Sequence, residues 1–239
     1  MAEDRGAFTA ATGRQLEAAG RDKPRYRRYQ YDLIAPHCGR TILEVGAGLG
    51  EFAEQFDDVD RLVLTDVDPG AVDLMARRFA GRPEVQTRTL ALGVAPELEE
   101  PVDSVVAINV LEHIEDDAGA LRSLATAVQP GGSIVLWVPG YQQLYGEFDR
   151  KVGHVRRYTP STLASAVRRA GLDVELVKPV NLLGGIAWWL TVRRGGSTSP
   201  DSKLVAVFDR FVVPVTRALE RVVRPPFGQS VLCVARVRA

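Results

Sequence analysis

Residues 43–51 read Leu-Glu-Val-Gly-Ala-Gly-Leu-Gly-Glu, with Thr41 and Ile42 just ahead of them. An apolar run that breaks into Gly46, Gly48 and Gly50 is how a buried strand brings backbone amides up to a ligand at the start of an α/β unit. Upstream, Tyr26, Tyr29 and Leu33 recur at helical spacing, so an amphipathic helix over 23–34 leads into this strand. Downstream, apolar runs predict strands over 61–66, 85–92, 102–109 and 133–138. The helices between them carry recognisable ends. Asp68 and Pro69 cap one that closes at Gly81; another starts near Asp116, and Pro130, Gly131 and Gly132 stop it. Thr159 and Pro160 open a helix that ends at Gly171, and a strand follows over 172–180. Strands alternating with helices in this way make a Rossmann-like parallel sheet covered on both faces. The last strand, 230–237, arrives only after the Gly-Gly-Ser-Thr-Ser-Pro run at 195–200 and an apolar-basic helix over 204–223.

The chain's 239 residues, 46% of them hydrophobic, suit one core with an appendage. Thirty basic residues balance thirty acidic ones, and no aromatic base-stacking signature accompanies them, so nucleic acid is not the expected partner. The balance is local, however: residues 184–239 hold nine Lys or Arg against Asp201, Asp209 and Glu220. Cys38 and Cys233 stand far apart without metal-ligand spacing, which predicts no disulfide framework, no metal and a reducing compartment. No secretory signal is visible, and the longest uncharged run, 179–192, is shorter than the roughly 20 residues a membrane span takes. The reading is a cytoplasmic protein.

Which ligand the loop takes follows from three residues. A dinucleotide fingerprint wants a third glycine where this chain has Glu51. Glu44 lies inside the strand, where an acid can balance a cationic amino group. Asp66, at the end of the second strand, can accept from both hydroxyls of a ribose. A ligand with a ribose, an amino-acid end and no pyrophosphate fits all three, and S-adenosylmethionine is such a ligand. At this point the chain resembles the class I S-adenosylmethionine-dependent methyltransferases of small-molecule type. The likeness rests on Ile42 to Gly50, on the strand ending at Asp66, on Asn109-Val110-Leu111-Glu112-His113-Ile114, and on Pro130-Gly131-Gly132.

The resemblance implies a seven-stranded, mostly parallel sheet with a final antiparallel hairpin and a helical insertion before the last strand. It divides the chain into an N-terminal helical cap (1–40), a cofactor-binding domain (41–182 with 228–239) and an insertion (183–227). By carry-over, Gly46, Ala47, Gly48, Asn109 and Leu111 lie against the methionine part, Asp66 on the ribose, and Val67 and Leu90 beside the adenine. The acid that many relatives carry after the third strand is missing here, where the chain reads Thr89-Leu90-Ala91-Leu92.

Gly153-His154-Val155-Arg156-Arg157-Tyr158-Thr159, after Tyr145 to Asp149, resembles a segment that borders the acceptor in a subgroup of these enzymes. His154 is either a general base or a tie between loop and Asp149. Arg156 and Arg157 are candidates to grip a substrate carboxylate or phosphate, with Tyr158 and Trp188 beside them. The expected reaction is O-methylation of a small, partly apolar acceptor, at a hydroxyl or a carboxylate. Methylation at nitrogen or carbon is an alternative, as is a noncatalytic cofactor-binding or peripheral membrane module. The run from Gly184 to Arg194, with Trp188 and Trp189, reads as core, as pocket wall or as a membrane-surface element.

Overall fold

The computed structural model describes residues 23–91, 93–193 and 202–238 of the protein. Seven strands form one sheet in the order β3-β2-β1-β4-β5-β7-β6. These are β1 (Thr41–Val45), β2 (Arg61–Asp66), β3 (Val85–Thr89), β4 (Val102–Ile108), β5 (Val128–Pro139), β6 (Asp173–Val180) and β7 (Ser230–Arg236). The first five run parallel, and β7 inserts antiparallel between β5 and β6. Alternation along each central strand sends side chains into two cores. Leu43, Val45, Ile134, Leu136, Val231 and Cys233 enter one; Ile42, Val135, Trp137, Leu232 and Val234 enter the other.

Helix α1 (Pro24–Ile34) and α2 (Pro69–Arg78) cover the second core with Tyr29, Ile34 and Met75, while α3 (Asp117–Ala125) cover the first with Leu121 and Leu124. After β5 come the short α4 (Glu147–Lys151) and then α5 (Pro160–Arg169), which adds Leu163 and Val167 to the first core. The caps act as the sequence indicates. Asp68, Asp116 and Thr159 each accept from a backbone N–H in the first turn of their helix.

One boundary differs from the expectation. Helix α3 ends at Ala125 and β5 begins at Val128, so Pro130, Gly131 and Gly132 lie inside the strand instead of closing the helix. The pairing of β4 with β5 breaks between Val102 and Ser104, and Gly131 takes a φ of 79° in the excursion. Its N–H still reaches the carbonyl of Val237 at 2.9 Å, so the detour keeps its backbone satisfied from the neighbouring strand.

The insertion is helical: α6 (Leu182–Trp188) runs into a π-helical turn (Trp189–Arg193). Helix α7 (Ser202–Val207), a second π-helical turn (Phe208–Val212) and α8 (Val213–Glu220) form one continuous helical stretch. It is bolted to the N-terminal helix. No side chain of its own caps α1; Asp209 accepts instead from the backbone N–H of Arg25 at 3.2 Å and of Tyr26 at 2.8 Å. Glu220 accepts from the Tyr29 hydroxyl and from the N–H of Leu182 at 2.8 Å. Residues 1–22 of the expected cap and the 195–200 run lie outside the described residues. Among the described residues, no helix is long and apolar enough to cross a membrane.

Candidate functional site

The strand order reverses direction between β1 and β4, so their carboxyl ends open a crevice at the switch point of the sheet. The glycine loop forms its rim. Gly46, Gly48 and Gly50 take φ of 69°, 59° and 75°, which side chains other than glycine rarely adopt. A Cβ on Gly46 would stand 2.6 Å from Cγ2 of Val110, so the loop can come this close to β4 only because it is bare there. Asp66 ties loop to sheet, accepting from Gly48 N–H and from Asp68 N–H, each at 2.9 Å. Burial raises its pKa, against the pull of these two backbone hydrogen bonds. Val67 beside it is exposed, and the N–H of Leu90 bonds to the carbonyl of Asp66 at 3.0 Å. Leu90, Val110 and Leu111 line a small apolar hollow beneath the crevice with Val45 and Ala107.

Glu44 is buried, and its Oε2 has no hydrogen-bond partner. Burial pushes its carboxyl up to about 8. The orphaned oxygen, the bare glycine rim and the half-buried Asp66 fit a ribose-bearing ligand with an amino group. Asn109, just past β4, takes a left-handed φ of 54° while its N–H bonds to the carbonyl of Trp137 at 2.8 Å.

A second constellation stands where the chain leaves β4. The turn Leu111–His113 carries Glu112, fully buried with neither carboxyl oxygen hydrogen-bonded, and burial pushes it too up to about 8. The loop bearing His154 is pinned against this turn: Val155 N–H donates to the Glu112 carbonyl at 2.8 Å, and His113 Nδ1 lies 3.3 Å from the carbonyl of Gly153. His154 Nδ1 lies 2.7 Å from Oδ1 of Asp149, and its Nε2 lies 3.7 Å from Oε1 of Glu112. A proton on Nδ1 toward the carboxylate leaves the lone pair on Nε2. The imidazoles of His113 and His154 meet edge to face with centroids 4.8 Å apart. Burial and the repulsion of His154 lower His113 to about 4. Asp149 is held below the usual carboxylate range: burial opposes this, and hydrogen bonds from His154 and Arg157 outweigh it.

Glu112 and Asp149 are the members of this set that the sequence reading gave no chemical role. The signal for Glu112 was an acid four residues past an apolar strand end. Ligand atoms of Glu112, His113 and His154 lie within 4.8 Å of one another, a donor set that could also hold a divalent cation.

Three of the residues expected at the substrate make contacts within the protein. Arg157 is buried, its guanidinium clamped to Asp149 at 2.8 and 3.1 Å and stacked 5.2 Å over the Trp188 ring. Arg156 is committed to Asp117 at 3.0 Å and the carbonyl of Glu115 at 2.7 Å. Tyr158 lies in the core with its hydroxyl 3.2 Å from Asp117. Trp188 does reach the His154 loop: its Nε1 donates to the carbonyl of Leu144, and its ring meets Phe148 edge-on at 5.0 Å. Phe148 in turn sits 6.4 Å from the His154 ring.

Fold and crevice together define a Rossmann-like enzyme that binds a nucleoside-bearing cofactor. A family model for a methyltransferase domain matches residues 9–177. A protein of Mycolicibacterium smegmatis, described as a probable S-adenosylmethionine-dependent methyltransferase, is 31% identical over 72% of this chain and 68% of its own length. The ubiquinone biosynthesis O-methyltransferase of Paracidovorax citrulli is 30% identical over 60% of this chain and 67% of its own. Among solved structures, the methyltransferase bound to the Haloferax volcanii activator Trm112 superposes with a TM-score of 0.65 at 18% identity, covering 96% of this chain and 94% of that one. The N-methyltransferase NodS of Bradyrhizobium japonicum, in complex with S-adenosylhomocysteine, superposes at 0.57 with 16% identity, covering 92% and 90%. The chain belongs to the methyltransferase-domain family, and it is an enzyme that uses S-adenosylmethionine.

Proposed function

We propose that the chain methylates a hydroxyl oxygen of a partly apolar small molecule, with His154 as general base. The observation that carries this reading is the Asp149–His154 pair, which holds an imidazole lone pair beside the carboxyl end of β4. Bound S-adenosylmethionine supplies an electrophilic methyl on a sulfonium. The chain would hold that cofactor through the backbone of Gly46, Ala47 and Gly48, through Asp66 at the ribose and Glu44 at the amino group. Val67, Leu90, Asn109 and Leu111 form the remaining walls. What the protein adds is alignment of the acceptor and removal of its proton. His154 Nε2 would take the proton of the acceptor hydroxyl, and the Asp149 carboxylate would offset the imidazolium charge. Phe148 and Trp188 give the acceptor an apolar wall and exclude water.

A carboxylate acceptor would need no base but would need a free cation to orient it. Both loop arginines are already paired with Asp117 and Asp149, and this favours the hydroxyl. The ubiquinone biosynthesis O-methyltransferase among the relatives points the same way. The test is methyl transfer to alkyl-substituted phenols and hydroxy acids, with products resolved by mass spectrometry, in parallel with calorimetric titration by S-adenosylhomocysteine. His154→Ala should lower kcat by about 10²- to 10⁴-fold and leave affinity for S-adenosylhomocysteine unchanged. Transfer to carboxylates alone, or full activity in the variant, refutes the assignment.

A further inference from the structure

Large apolar side chains are exposed very unevenly. Of the fifteen exposed among the described residues, eleven lie between Ile186 and Phe227, in the insertion and the turn after it. Within the continuous helical stretch α7 to α8, Leu204, Val207, Phe211, Val215 and Leu219 follow at intervals of three or four, the spacing of one helix face. Phe211 is 59% exposed and Val215 57%. The opposite stripe, turned to the protein, is Val205, Asp209, Val213 and Thr216. The helix thus shows solvent an apolar stripe while it buries an acid and a hydroxyl beside Val205 and Val213. Ile186 on α6, which packs against α8, and Trp189 and Leu190 in the π-helical turn after it add exposed apolar surface.

Charge completes the pattern. Asp209 and Glu220 are both turned inward, onto the N-terminus of α1 and onto Tyr29 and Leu182. Arg210, Arg221 and Arg224 remain exposed around the apolar stripe. We propose that this face of the insertion docks on an anionic lipid surface, with the apolar stripe entering the interface and the arginines meeting lipid phosphates. A spanning role does not arise, since no described helix has the length and apolarity to cross. A protein partner would need matching acids; a bilayer with anionic headgroups supplies the apolar bed and the counter-charge together.

The test uses the full chain with vesicles of phosphatidylcholine, plain or containing a quarter phosphatidylglycerol, read by flotation and by quenching of tryptophan emission with brominated lipid. Three arginines at the surface predict binding to the anionic vesicles on the order of 100-fold tighter than to the neutral ones, weakening as salt rises. The exposed pair Phe211→Asp and Val215→Asp should reduce that binding by about 10-fold or more. Its melting temperature and affinity for S-adenosylhomocysteine should stay at the unsubstituted values, which separates lost docking from lost folding. Failure of the folded chain to bind anionic vesicles, or binding that survives the double substitution, overturns the proposal. A solution dimer dissolved by the same substitution also overturns it, assigning the face to a second copy of the chain.

Discussion

Glu44 gives the sharpest check on the reading of the crevice, because the chain holds a carboxyl there that it stabilises poorly by itself. Its pKa rises from an ordinary 4.5 to about 8 through burial alone. The folded state therefore keeps a proton that the unfolded chain releases between those two values. With more protons bound in the folded state, stability falls as pH rises, by about 1.4 kcal/mol per unit across that window and about 5 kcal/mol in all. Glu44→Gln keeps the shape and cannot ionise. An amide with unpaired donors brings its own penalty of roughly 1–3 kcal/mol, but that offset does not change with pH. In urea unfolding followed from pH 5 to 9, the difference in stability between variant and parent should grow in the variant's favour, by about 3 kcal/mol up to pH 7. Cofactor binding should move the other way, since an ammonium beside Glu44 favours its charged form. At pH 7 the parent should release about 0.9 proton on binding S-adenosylhomocysteine, measured by calorimetry in buffers of different ionisation heat. The variant should bind more weakly and release none. Parallel stability profiles, or equal affinity and equal proton release, would refute the placement of Glu44 against the amino group.

Two further substitutions probe the frame of the site. Gly46→Ala sets a Cβ 2.6 Å from Val110 at a φ of 69°, so it should lower stability by about 1–3 kcal/mol and weaken S-adenosylhomocysteine binding; calorimetry showing unchanged affinity would remove the loop from the cofactor site. Asp149→Asn leaves the buried Arg157 without its counter-charge, with an expected loss of about 3–5 kcal/mol in denaturant unfolding. Because the fold holds Asp149 below its ordinary pKa, its contribution in the parent is present above that value and is lost as pH falls through the folded one, so the variant should lack this acid-side loss.

Much of the scaffold was legible because its signals are local. The strand ending at Asp66 is bounded by a charge on each side, and Asp68-Pro69 and Thr159-Pro160 mark helix starts within a few residues of chain. The glycine loop and Asp66 are local in the same sense, since a φ requirement and a strand end sit in one short run. What stayed hidden depends on pairing at a distance. Arg156, Arg157 and Tyr158 are as polar as a ligand-binding segment, and nothing in their own spacing says that Asp117 and Asp149 have claimed them. Pro130 to Gly132 reads as a helix stop because a proline followed by two glycines ordinarily is one. Only the pairing of Gly131 and Gly132 with Val237 makes it an excursion inside β5. In the insertion two stripes compete for the interior, and composition favours the apolar one. The hydrogen bonds that the backbone N–H groups at the N-terminus of α1 donate to Asp209 decide for the other.

The two carboxyls pushed to about 8 are also the clue to how the site is organised. Glu44 belongs to β1 and Glu112 to the turn after β4, so they flank the switch point where the sheet opens. Each lacks a hydrogen bond on a buried oxygen, a state that costs stability wherever it occurs and persists only where something else is gained. Near Glu44 the gain on the proposed reading is a counter-charge for the cofactor's amino group. Near Glu112 it is a neutral acid beside His154, which leaves Asp149 as the charged partner of the imidazole. Replacing either acid by a well-packed apolar residue should therefore raise stability in the absence of ligand, and on the proposed reading it should weaken cofactor binding at Glu44 and turnover at Glu112.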